Sequence, residues 1–166
     1  MFEINYKVFK NNEIEADELN GEYGYFQFDV DHESYGILIP QEIEEFSVSV
    51  YEWFSNFLEA LLILENNNYA LISDIEKIDI WIELKKENNS LKISKVSSDK
   101  IEVGGVILKE KLPDRKYLYL KEKEVSFIEF KSELLEKAQS YIEEIKELNN
   151  PENKYLEELK SKFNEC

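Results

Sequence analysis

A single cysteine, Cys166, stands at the last position of the 166-residue chain, so no disulfide can form within it. That fits a reducing compartment and equally a secreted protein without bridges. His32 is the only histidine, and with one thiol it excludes a metal site built from cysteine and histidine on numbers alone. With His32 the one histidine and the one thiol at the last position, no Ser-His-acid or Cys-His arrangement for nucleophilic catalysis is expected. Five scattered glycines (Gly21, Gly24, Gly36, Gly104, Gly105) make no phosphate-cradling loop. Arg115 is the sole arginine, which argues against dedicated recognition of phosphorylated substrates. No apolar run is long enough to span a bilayer, since Phe57–Leu64 is short and broken by Glu59. The first residues show no basic stretch followed by an apolar one, so no signal peptide is expected and the expected location is cytoplasmic.

Negative charge is abundant and unevenly placed. The net charge is −16. Twelve acids lie in residues 1–50, namely Glu3, Glu13, Glu15, Asp17, Glu18, Glu22, Asp29, Asp31, Glu33, Glu42, Glu44 and Glu45, against only Lys7 and Lys10. The rest of the chain is far closer to balance. Hydrophobic content of 43% with ten Tyr, ten Phe and two Trp speaks for a packed core rather than an acidic disordered chain.

The hydrophobic pattern predicts an α+β fold: a mainly antiparallel sheet packed on one side by a central aromatic-rich helix and a long C-terminal helix. Phe2, Ile4, Tyr6 and Val8 alternate with polar residues, as do Phe26, Phe28 and Val30. Tyr35–Ile39, Tyr69–Asp74, a strand carrying Ile78, Ile80, Ile82 and Leu84, Leu91–Val96, Ile101–Leu108 and Tyr117–Leu120 are further strand candidates. Gly104-Gly105 marks a bulge or bend. Ser49 with Glu52, and Ser126 with Glu129, are capping-box patterns that open the two helices. In the first, Val50, Trp53, Phe54, Phe57, Leu58 and Leu61 form the apolar face, with Glu52, Ser55, Asn56 and Glu59 opposite. One domain over residues 1–148 is expected, followed by a short C-terminal helix or loosely held tail over 149–166.

Asp29-Val30-Asp31-His32-Glu33 begins like a calcium loop but has Ser34 and Pro40 where glycine and glutamate are needed, so no metal or other cofactor is expected. Carboxylate pairs of the glycosidase kind are too abundant here to mean anything, and no catalytic residue is assigned. The basic run Lys109–Lys116 is interspersed with Glu110 and Asp114 and reads as a solvated hairpin or loop. Neither nucleic acid nor an anionic membrane suits this charge as a partner. A basic protein does. Crowding like charges costs self-repulsion, and aromatics lie among them, as at protein-binding surfaces. The expected partner-binding residues are Glu13, Glu15, Asp17, Glu18, Glu22, Tyr25, Asp29, Asp31, Glu33, Tyr35, Glu42, Glu44 and Glu45.

Three segments carry a resemblance: Tyr35-Gly36-Ile37-Leu38-Ile39-Pro40, the aromatic helix around Tyr51 and Trp53, and Ile80-Trp81-Ile82-Glu83-Leu84 with Leu91-Lys92-Ile93-Ser94. In character and order they resemble small bacterial immunity proteins of the polymorphic-toxin and contact-dependent inhibition systems, over roughly residues 20–97. The resemblance implies direct, stoichiometric binding of a cognate toxin, often a basic nuclease. Two other readings stay open: a phage-encoded acidic inhibitor or nucleic-acid mimic acting on a host defence protein, and a housekeeping adaptor.

Overall fold

The computed structural model describes residues 1–99 and 107–166. The fold is α+β, and its antiparallel strands fall into two sheets rather than one. The first sheet contains β1 (Phe2–Val8), β2 (Tyr23–Val30) and β3 (Glu33–Ile37) in that order, with β4 (Val48–Ser49) also on β2. Its register pairs Phe2 with Val30 and Val8 with Gly24. Asp31 and His32 join β2 to β3 with φ of 46° and 70°. Positive φ at both residues of a two-residue turn matches the twist of the hairpin strands. The calcium-like pentapeptide is therefore a hairpin turn.

The second sheet contains β5 (Tyr69–Ser73), β6 (Ile80–Glu87), β7 (Ser90–Ser97), β8 (Ile107–Leu108), β9 (Lys116–Tyr117) and β10 (Lys123–Ser126). Its order is β7-β6-β5-β8, with β9 and β10 both along the outer edge of β7. Ile78 does not continue β6: it is 87% exposed. Here Asp74 folds the chain, its carboxylate accepting from the Glu76 amide (2.8 Å) while its own amide donates to Ile80 O (3.0 Å). Gly104-Gly105 lies outside the described residues.

Helix α1 (Val50–Asn66) is the centre of the molecule, and it opens as expected, Ser49 Oγ accepting from the Glu52 amide at 3.1 Å. Its aromatic face meets the first sheet, where Trp53 stacks on Phe26 (5.5 Å) and Phe57 meets Phe28 edge-on (5.6 Å). The same helix also packs on β5. Helix α2 (Phe127–Leu148), capped by Ser126, runs beside β1 and sets Phe130 against Phe2 (4.9 Å) and Tyr141 against Phe54 (5.0 Å).

The side of α1 expected to face water is covered as well. Helix α3 (Lys154–Glu165) lies over it: Tyr155 meets Tyr51 edge-on (5.8 Å), and Lys162 reaches Ser55 Oγ (2.9 Å) and Glu59 (3.4 Å). Ser55 and Asn56 are buried, and so are Leu156 and Leu159, which belong to the same core. Tyr155, Leu156, Leu159 and Phe163 suffice to seat this helix because α1 and α2 both pack against it and Glu59 of α1 pairs with Lys162.

Two measurements check this packing. Phe57→Ala removes a fully buried ring at the junction of Phe2, Phe28 and Phe130, and should cost about 3–5 kcal/mol in urea unfolding. Leu159→Ala should cost about 2–4 kcal/mol, whereas a loosely held tail would lose almost nothing.

Candidate functional site

At the end of the first sheet where β2 begins, two irregular segments stand apart and leave a groove of about 790 Å³. One is the connection between β1 and β2, the other the arm between β3 and α1. The connection is organised by Asn20, whose side chain exchanges hydrogen bonds with the Asn11 backbone (2.9 and 2.7 Å). Asn149 at the end of α2 makes the matching pair with the Asn20 backbone (both 2.8 Å). Gly21 follows with φ of +87°, and a Cβ there would meet Val8 at 2.9 Å and Ile145 at 3.0 Å, so only glycine fits.

The arm is held by Tyr25. Its hydroxyl donates to Gln41 O (2.6 Å) and accepts from the Ile43 amide (2.8 Å), while Phe9 covers the ring (4.8 Å). The arm then closes into a single tight turn over Glu44–Phe46. Tyr25 is wholly buried, which corrects its placement among the partner-contacting residues. It positions the arm that carries Glu42, Glu44 and Glu45.

Glu18, Glu22, Glu42 and Glu44 line the groove with Lys10, Phe9, Ile14 and Tyr23. Tyr23 and Phe46 are about half exposed, at 53% and 51%. Glu13, Glu15, Asp17 and Glu45 stand exposed on the same two segments. Burial raises the Glu22 carboxyl above its usual range, and the nearby charges of Glu52 and Glu18 push the same way. A hydrogen bond with Tyr23 offsets only part of this. Among the groove acids, Glu42 already has a cation, Lys7 at 3.2 Å.

The remaining expected residues lie elsewhere. Asp29 is seven residues along β2 from Glu22, roughly 23 Å away in extended chain. It and its neighbours are engaged within the fold: Asp29 accepts from Ser34, Asn5 and Gln27, Asp31 pairs with the N-terminal amine (2.9 Å), and Glu33 pairs with Lys123 (2.6 Å). Tyr35 points into the core, and its hydroxyl donates to buried Asp74, joining the two sheets. Its inclusion among surface residues is thus also corrected, because Tyr35 shares the inward face with Phe28.

A second polar cluster went unforeseen. Glu83 on β6 is fully buried, and its carboxylate accepts from Arg115 Nε (2.7 Å), Tyr69 (2.8 Å) and Tyr117 (2.8 Å), with Lys85 at 3.3 Å. Burial opposes its charge, but the tyrosine hydrogen bonds and the two cations outweigh it and hold the carboxyl below its usual range. Arg115 is therefore not the solvated hairpin or loop residue expected from the sequence, since its guanidinium is held on buried Glu83. A low-lying, fully bonded carboxylate is a poor proton acceptor, so the cluster reads as an internal clamp. Among the described residues no group of three histidines, cysteines or acids is placed to hold a metal, and no helix is long and apolar enough to cross a membrane.

No protein-family model, curated protein or solved structure matches the chain.

Tyr25→Phe should free the arm at a cost of about 1–3 kcal/mol, seen as faster amide exchange over residues 41–47. Glu22→Gln should stabilise the protein slightly at pH 7. A carboxyl raised by folding contributes stability that is complete below 4.5 and lost as the pH rises through its raised value. The gain from glutamine should accordingly vanish in acid, when thermal unfolding is followed from pH 7 to pH 4.

Proposed function

We propose that this chain is a stoichiometric inhibitor of a basic protein, an immunity protein that takes the cationic surface of a cognate toxin into its acidic groove in the cytoplasm. The observation that supports this reading is the placement of Glu22. A coat of charge serving solubility alone would leave each carboxylate fully hydrated. Here one is half-buried between two other acids, beside an exposed tyrosine, where its ionisation is disfavoured. A lysine or arginine brought into the groove relieves that penalty, so the free protein holds in reserve an interaction that only a cation completes.

The exposed rings of Tyr23 and Phe46 add the apolar, face-presenting contacts that cations and interface cores use. A nuclease suits as partner because a surface that holds phosphates must be positive. An inhibitor of this kind blocks by occupancy and electrostatics and needs no catalytic residue.

The test is co-expression with the product of the neighbouring gene, followed by association kinetics over a salt series. Association should be fast at low salt and slow markedly as the Debye length shortens from about 30 Å at 0.01 M to about 8 Å at 0.15 M. Glu18→Lys, Glu22→Lys and Glu44→Lys together should lower the on-rate roughly tenfold or more and abolish protection. Reversing Glu136, Glu143 and Glu147, exposed on α2, should do much less. Equal effects from the two sets would reduce the acidic end to a solubility feature. Failure to rescue growth from any neighbouring toxin would remove the immunity reading.

A further inference from the structure

The outer face of the second sheet, turned away from α1, carries its own apolar cluster of Tyr69, Leu71, Trp81 and Val96, separate from the main core. The run Lys109–Tyr119 lies over it, and its Leu112 and Tyr117 close onto the cluster. Both flanks of this run are fixed. On one side Ile107 packs against the main core, and on the other Leu120 is buried within it.

Besides the apolar contacts of Leu112 and Tyr117, polar attachments hold the run between those fixed ends. Arg115 reaches Glu83, the Tyr117 hydroxyl donates to the same carboxylate, and Ser98 donates to Asp114 (2.6 Å). Pairing with β7 is confined to Tyr117 opposite Val96 and Lys116 opposite Ser97, with the Leu118 amide donating to Lys95 O (3.0 Å). The exit is strained: Leu120 and Glu122 have φ of 60° and 47°, a left-handed backbone that side chains resist.

We infer that Lys109–Tyr119 is a strap that opens as one unit while the main core stays folded, with the Arg115–Glu83 pair as its latch. The sheet keeps Tyr69 and Lys85 on the Glu83 carboxylate when the strap lifts, so opening does not strand a bare charge. Because the apolar cluster beneath is separate from the main core, lifting the strap breaks only local contacts. Open, the molecule presents a second face, with Tyr69, Leu71 and Trp81 around a carboxylate. This is independent of the acidic groove at the start of β2.

Amide hydrogen exchange on the intact protein tests the inference. In the wild type under low urea, strap amides should exchange by an opening that urea barely accelerates, while α1 amides respond steeply. Arg115→Ala should speed exchange in residues 109–119 and at Val96–Ser98 roughly tenfold or more, with α1 and the β1–β2 pair unchanged. The inference is overturned if strap and α1 amides share one urea dependence in the wild type. It is equally overturned if Arg115→Ala folds and leaves strap exchange as it was.

Discussion

Helix α1 has nearly no water-facing side, and that constraint organises everything else. Its aromatic face needs one sheet, it packs on β5 of a second, and α3 covers what is left. A helix buried on all sides stabilises the domain through area removed from water rather than through intrinsic helix preference. It also dictates how the chain must run. β4 delivers the chain directly into the capping serine, so the start of α1 is fixed beside the start of β2, with the Val50 amide on Glu22 O at 2.8 Å. The two irregular segments that frame the groove are the connections this arrangement leaves at the sheet's end.

The acidic end is where the fold gives stability back. Glu22 and Glu52 sit close because α1 must begin there, and Glu18 joins them because Asn20 ties the connection down. Like charges converge on a point that packing, not electrostatics, has chosen. The large aromatic core tolerates this repulsion, and the cationic partner proposed above would remove it. In this account affinity arises from a strain the free protein carries, and speed of association from its long-range field. The opposite end of the first sheet differs in part: Asp31 is bound to the N-terminal amine and Glu33 to Lys123, so these two are internally neutralised.

Local signals read true in this sequence, and long-range coverings did not. Both capping serines accept where the spacing placed them, and the alternation of Phe26, Phe28 and Val30 identifies the buried face of β2. Tyr25 alternates onto the outward face, as its position requires; what buries it is an arm that folds back from sixteen to eighteen residues on, which no periodicity records. Ile78 shares the parity of Ile80 but lies before the strand, because Asp74 diverts the backbone first. Glu83 and Trp81 likewise point outward. One signal was available there: Tyr69, Leu71 and Trp81 make both faces of β5 and β6 apolar, which marks strands covered on two sides. Division of the strands into two sheets depends on pairings across tens of residues, and nothing local encodes it.

Whether a partner binds through the acidic groove can be read from the hydrogen-exchange footprint of the complex with the co-expressed partner. Binding through the acidic groove predicts added protection in residues 9–23 and 41–47, with the β2–β3 turn at Asp31 unchanged. Protection confined to other surfaces, with those two segments exchanging as in the free protein, would contradict the account.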